Sequence, residues 1–427
     1  MRSNVPTFQR SNVLTFQRKM RILILIIQFS PDTNSTGRLM AQIGEELPAY
    51  GHEVSVITAF PHYAEFRVWE EYRGKLAVRE HYRGMDVLRL WVYASGNKQR
   101  MLHRLASYLS FNALATVANL FSRRSYDLML CPNGSFFTGI AAFVSGGPKR
   151  IPFIYNVQDL YPDVPVKAGQ LRNRTAIAAL EQMERFMYRT SAHISVITPS
   201  FRESLLQKGI PAEKVTVIPN FVDTEFIRPL PRENDFSAQQ GLNGKFVIMH
   251  AGNLGYVYDL ETMLEAAARL RQHSDILFLI VGEGVAKAGL EQKARELALE
   301  NVRFLPYQPL ECLPWMRATA DVQVSLYKPG AATDSMPSKV YEIMASGRPL
   351  LASAEATSDV RRLIETTGCG IAVNPQRVEE LTEAILTLYR DPALRAEMGR
   401  NGRQHAEQDY SKQVVTRRYH ELFSKVR

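Results

Sequence analysis

Asp334 and Glu342 stand on either side of a helix start in the stretch ATDSMPSKVYEIMASGRPLLAS, residues 332–353. Pro337 suits the first turn of a helix, and Gly347 followed by Pro349 ends it. One helix running through both acids would set them ~80° apart; the proline instead puts Asp334 in the loop and Glu342 in the second turn. A carboxylate among Val340, Ile343 and Met344 needs hydrogen-bond donors. The backbone N–H groups at Ser338 and Lys339, at the positive end of the helix dipole, favour an anion. Together these groups suit one ligand, with phosphate at the N–H groups and sugar hydroxyls at the carboxylates. A capping acid beside a solvated glutamate is the plainer alternative.

Three more loops carry candidate groups. In SPDTNSTG, Thr36 and Gly37 open a helix after the first apolar strand, where an anion is again favoured. In AGNLG, Gly252 and Gly255 allow close backbone approach to a phosphate, and Asn253 adds a neutral donor. The spacing differs from G-x-G-x-x-G, so a dinucleotide cofactor is not indicated. In VGEGV, Glu283 lies between two glycines, where a surface turn explains it equally well. Asp159, in NVQDLYPD, sits at a strand end and reads either as a base for an acceptor hydroxyl or as a helix cap. No Ser/His/Asp or Cys/His arrangement suggests a protein nucleophile.

The elements that must position these groups alternate strand and helix. The run Ile22–Ile27 is apolar throughout, as in a strand buried on both faces. A helix with Leu39, Ile43 and Leu47 in phase follows, Gly51 ends it, and EVSVIT is the next strand; Pro48 in the last turn is a local conflict. DVLRLWV, DLMLCP and PFIYNV continue the pattern. It restarts after the proline-rich connector IRPLPRENDFSAQQGLNG, with KFVIMHAGNLG, ILFLIVGEG, VRFLP, DVQVSLYKP and PLLAS as strands. The expected fold is α/β, with two doubly wound Rossmann-like domains facing a central cleft. The boundaries are an N-terminal extension at 1–19, domains at 20–225 and 245–405, a linker at 226–244, and a final helix at 406–427 bracing the first domain. The extension holds the tandem copies SNVPTFQR and SNVLTFQR and reads either as a mis-assigned start before Met20 or as a disordered basic tail.

Bulk properties narrow the class. A chain of 427 residues is too long for one ordinary core. Its three cysteines are far apart and its nine histidines lack metal spacing, so a disulfide framework and a resident metal are both unsupported. No apolar run reaches the ~18–20 residues of a membrane-spanning helix. The net charge is +9, but no zinc finger, RNP-like strand or basic low-complexity arm accompanies it, which makes nucleic acid a poor partner. A cytoplasmic, reduced setting is expected.

From Met20 onward the motifs FSPDTNSTGRLMAQIGEEL, GHEVSVIT, NVQDLYPD, VIPNFVDTEFIRPLP, AGNLG, VGEG, NVRFLPYQP and PSKVYEIMASGRPLLA resemble glycosyltransferase family 4. These are retaining sugar transferases of the GT-B fold, and the subgroup resembled is the colanic-acid type of exopolysaccharide enzyme. The resemblance implies transfer of a glycosyl unit from a nucleotide diphosphate sugar to a glycan or lipid-linked acceptor, by front-face attack and without a divalent metal. It places Glu342 on the nucleotide ribose and Asp334 near the transferred sugar's hydroxyls. The family's Arg and Lys that grip the diphosphate fall on Asn253 and Tyr258, a departure for which Lys339, or Lys328, is the expected replacement. A GT-B sugar-nucleotide epimerase and a non-catalytic sugar-nucleotide-binding protein are the competing classes.

Residues 99–124 read as one long helix with Leu102, Leu105, Leu109, Ala113, Val117 and Leu120 in a stripe, while Phe111, Leu114 and Phe121 point elsewhere. From Val87 to Tyr126 there are six basic residues (Arg89, Lys98, Arg100, Arg104, Arg123 and Arg124) and no acid. The outer side of the 98–124 segment is therefore expected to rest on an anionic bilayer, on the inner face of the plasma membrane, where a lipid-linked acceptor is presented. Packing of both sides against protein is the alternative.

Overall fold

The computed structural model describes residues 19–32, 34–96, 100–160, 162–163, 173–331 and 336–426. Asp334, Lys98 and the tandem copies before residue 19 lie outside them.

The first sheet is built from β1 (Arg21–Leu25), β2 (Glu53–Ala59), β3 (Ala77–Tyr82), β4 (Met85–Leu90), β5 (Leu128–Pro132), β6 (Phe153–Val157), β7 (His193–Val196) and β8 (Val215–Val217). Its order is β3-β4-β2-β1-β5-β6-β7-β8, with every pair parallel except the β3/β4 hairpin. Pairing of Ile22 with Val54 and with Leu128 centres the continuous apolar runs, which is why β1 and β5 bury nearly every residue. The hairpin strand β3, absent from the sequence reading, alternates exposed and half-buried residues and carries Arg79, Glu80 and His81. Such a polar alternation marks a sheet edge.

Helices α1 (Ser35–Glu46), α2 (Met101–Leu120), α3 (Phe136–Gly146), α4 (Arg174–Thr190) and α5 (Pro199–Gln207) cover this sheet. α1 ends before Pro48, which falls in a 3₁₀ turn at Leu47–Tyr50 closed by Gly51 at φ +81°. That turn removes the conflict expected from a proline inside the helix.

The second sheet orders β9 (Phe246–Ala251), β10 (Ile276–Val281), β11 (Val302–Leu305), β12 (Val322–Leu326), β13 (Leu350–Ser353) and β14 (Gly370–Val373) as β11-β10-β9-β12-β13-β14, all parallel. Strand order reverses at β9, so the crevice for a ligand opens at the carboxyl ends of β9 and β12. The helices of this half are α6 (Asp235–Gln239), α7 (Leu260–Arg269), α8 (Lys287–Glu296), α9 (Leu313–Thr319), α10 (Ser338–Ala345), α11 (Asp359–Thr367), α12 (Val378–Arg390), α13 (Pro392–Asp409) and α14 (Lys412–Lys425).

The last helix leaves the second sheet and returns to the first. Val415, Tyr419, Leu422 and Phe423 of α14 are buried in one cluster with Ile22, Ile24, Val54 and Val56. The Asn156 side-chain amide donates to the Tyr419 hydroxyl at 3.0 Å, and the His52 and His420 rings meet at 2.8 Å.

Candidate active site

α10 starts with Pro337 at its N-cap, which offers no side-chain acceptor; the Val340 N–H turns back to the Pro337 carbonyl at 3.1 Å, and the N–H groups of Ser338 and Lys339 have no partner among the described residues. Lys339, in that first turn, points inward. It is only 8% exposed, and its ammonium nitrogen has no hydrogen-bond partner among the described residues. It lies 3.6 Å from the centroid of the Tyr258 ring and faces Gly252. Burial, with the nearby Arg317 charge, lowers its pKa to about 7, against a smaller opposing pull from Glu342. A lysine held on an aromatic face in this way is ready for an anion. Tyr258 supplies the platform on which Lys339 rests.

Glu342 lies one turn further along and is half-buried. The sequence reading gave its carboxylate sugar hydroxyls as donors; the structure provides a protein donor, the Arg317 guanidinium of α9, which pairs with its Oε2. Sequence spacing missed Arg317 because it arrives from another element. Its only local signal is a charge inside LPWMRAT, a helix that otherwise buries Pro314, Met316 and Ala318.

The glycine loops close the floor. Gly252 has φ +142°, a conformation side chains rarely adopt, and its N–H donates to Val281 O at 2.9 Å. A Cβ on Gly282 or Gly284 would strike the carbonyls of Gly252 or Leu254, so these glycines let two loops pack together. Glu283 turns outward and pairs with Lys287 at 2.6 Å, one helical turn on. Asn253 is exposed, with Gly255 beside it. Lys328 lines a neighbouring cavity of about 330 Å³ with Gly255, Tyr258 and Lys293. No residue of α10 lines that cavity.

Gly37 has a packing role. Its N–H donates to the Asn34 cap at 3.0 Å, and a Cβ there would strike the Gln28 carbonyl. Glycine is required for α1 to pack against the end of β1. Asp32, in the same loop, is buried and accepts the N–H groups of His62 and Tyr63 at 3.0 Å each. Asp159 follows β6, with its carbonyl held by Asn133 at 2.7 Å. Its side chain is reached by water, yet protein encloses it closely enough for desolvation to raise its pKa.

α2 presents the apolar stripe to solvent. Leu102 is 78% exposed and Leu105, Leu109 and Val117 are exposed with it, whereas Ser107, Phe111, Asn112, Ala115 and Asn119 face the protein. Two basic residues drop out of the expected surface patch as free charges. Arg89 is fully buried, bonded to Glu80 and the Ser30 carbonyl, and Arg124 pairs with Asp86 at 2.6 Å. Arg100, Arg104 and Arg123 remain exposed at the ends of the helix. Among the described residues, no helix is long and apolar enough to cross a membrane.

Known proteins share both halves of this fold. Residues 36–220 match the model of the glycosyl transferase 4-like domain, and residues 232–405 match that of glycosyl transferases group 1. The Escherichia coli K12 glycosyl transferase WcaI, named for colanic acid biosynthesis, is 30% identical over 94% of this chain and 98% of its own length. WbjE of Pseudomonas aeruginosa, named as a glycosyltransferase, is 25% identical over 65% of this chain and 70% of its own. The crystal structure of Anabaena HepE in complex with UDP superposes with TM-score 0.71 at 18% identity, covering 95% of this chain and all of that one. The chain belongs to the family-4 glycosyltransferases and has their GT-B fold.

Proposed function

We propose that this glycosyltransferase moves a sugar from a nucleotide diphosphate donor to a glycan or lipid-linked acceptor in exopolysaccharide synthesis, with retention at the anomeric carbon. The observation that carries the proposal is the start of α10: the N–H groups of Ser338 and Lys339 and the buried Lys339 ammonium, none with a partner among the described residues, lie with the Glu342 carboxylate at the crevice where strand order reverses. A diphosphate fits the first two and a ribose the third. As the glycosidic bond breaks, negative charge grows on the leaving diphosphate, and fixed N–H dipoles with a desolvated lysine stabilise it at that moment. In this assignment protein groups carry the charge, with no divalent metal, and the diphosphate takes the acceptor proton. Asp159, its carboxyl biased toward the protonated form by desolvation, is a second candidate to handle that proton.

The colanic acid name of WcaI supports an exopolysaccharide setting, and HepE solved with UDP supports a nucleotide diphosphate donor. The exposed stripe of α2 and the arginines at its ends support a membrane-presented acceptor. Thermal melts with UDP, GDP, dTDP and ADP test donor binding. A ligand at a hundred times its dissociation constant adds ~2.7 kcal/mol, which raises the melting temperature by several degrees. A rise with one nucleotide that Glu342→Ala abolishes is expected. No rise with any of the four would overturn the assignment.

A further inference from the structure

Arg317 is 3% exposed in a helix of otherwise apolar or small buried residues, and its guanidinium is held from two sides. Nη1 donates to Gln323 Oε1 at 2.7 Å, and Nη2 donates to Glu342 Oε2. Gln323 is itself fixed, donating to Ser346 Oγ at 2.9 Å and to the Arg317 carbonyl at 3.2 Å. The guanidinium Nε is enclosed and has no partner among the described residues. Glu342 Oε1 is left without a protein partner among them, on a side chain still 24% open.

A buried ion pair is a poor device for stability alone, since well-packed apolar residues of similar size often do as well or better. It is a good device for holding a planar carboxylate at one angle. A half-exposed glutamate has three rotatable bonds, and accepting two neighbouring hydroxyls requires one orientation of its carboxylate. We propose that Arg317 is a positioning residue: with Gln323 and Ser346 behind it, it clamps Oε2 of Glu342 so that the carboxylate presents a fixed edge to the 2′- and 3′-hydroxyls of the donor ribose. The proposal rests on the nucleotide-donor assignment above and adds to it the residue that sets ribose selectivity.

The test compares the dissociation constant of the ribonucleoside diphosphate (UDP, GDP or ADP) that raises the melt with that of its 2′-deoxy counterpart; a melt raised by dTDP alone, which lacks the 2′-hydroxyl, would overturn the clamp. A hydroxyl bonded to a charged, oriented carboxylate gives a preference of about tenfold for the ribose form in the wild type. Arg317→Met is expected to weaken the ribose ligand and leave the deoxy ligand within about twofold, so that the preference disappears. Glu342→Gln should do the same, and the double variant should lose no more of the preference than either single one. Gln323→Met and Arg317→Lys keep the charge while loosening the clamp, and both should lower the preference partway even if Arg317→Met fails to fold. An unchanged preference in folded Arg317→Lys and Gln323→Met would overturn the clamp while leaving the donor assignment standing. Failure of the wild type to bind any nucleoside diphosphate would overturn both.

Discussion

Lys339 couples donor binding to pH. Its pKa in the folded, empty protein is about 7 against an ordinary 10.5, so the unfolded chain binds more protons between those values. The contribution of this residue to stability therefore rises with pH from about 7 toward 10.5 and is least favourable below 7. Binding runs the other way. A diphosphate beside the nitrogen favours the ammonium form, so nucleotide-sugar affinity should fall as pH rises from about 6 to about 9, with proton uptake on binding. Calorimetric titrations in buffers of differing ionisation enthalpy should show that uptake in the wild type and a flat, weaker profile in Lys339→Met. Parallel profiles in the two proteins would remove Lys339 from the diphosphate site. Lys339 and Glu342 were legible as neighbours in the sequence because both belong to one short helix. Sequence spacing missed Arg317, since the partner of a buried acid comes from whichever element the fold brings near. At Gly37, read in the sequence as part of a ligand loop, the close Gln28 carbonyl gives a packing reason for glycine that local spacing did not show.

At the scale of the element, α2 is where periodicity and placement part company. The stripe Leu102, Leu105, Leu109 and Val117 was legible as one face of a helix, but the repeat does not say which face meets the protein. The choice is made by the opposite side, where Phe111 and Ala115 pack inward and the Asn119 amide donates to Ser145 Oγ at 2.8 Å. With that side turned inward, the apolar stripe is left outside. Phe121, just past the end of the helix, is 77% exposed as well. Flotation with anionic vesicles measures what the stripe does. Wild-type protein should float at low salt and be released at high salt. Leu105→Glu with Leu109→Glu should lose about 3 kcal/mol or more of binding, the worth of two leucines entering an apolar layer. Equal flotation of the two proteins, or none by the wild type, would exclude α2 as the docking helix. The βαβ elements themselves were easier to read, because strands buried on both faces such as β1, β5 and β10 are continuous apolar runs bounded by turn residues.

The whole molecule is tied across its cleft at more than one place. Ser200 of α5 bonds to Asp359 of α11, and the Tyr341 ring of α10 packs 4.7 Å from Tyr410. Arg403 of α13 donates to the carbonyls of Thr224, Ile227 and Ala345, which joins the linker to the end of the α10 helix. α14 then inserts Tyr419 and Phe423 into the first domain's core, so the chain crosses between the domains twice. Two sheets with a cleft were legible from the restart of the strand–helix pattern after the proline-rich connector. The contacts that set one domain against the other depend on residues far apart in sequence, and local patterning gave little sign of them beyond the final amphipathic helix. Transfer chemistry is a property of this assembled cleft, and its stereochemistry is the most direct reading of it. Methanol can stand in for the acceptor, because a methyl glycoside keeps the anomeric configuration in which it forms. Incubating the full chain with nucleotide sugars and methanol, and resolving the product by NMR, should give a methyl glycoside of the donor's own configuration, lost in Glu342→Ala. A product of inverted configuration, or no release of nucleoside diphosphate from any donor, would contradict retaining transfer at the α10 site.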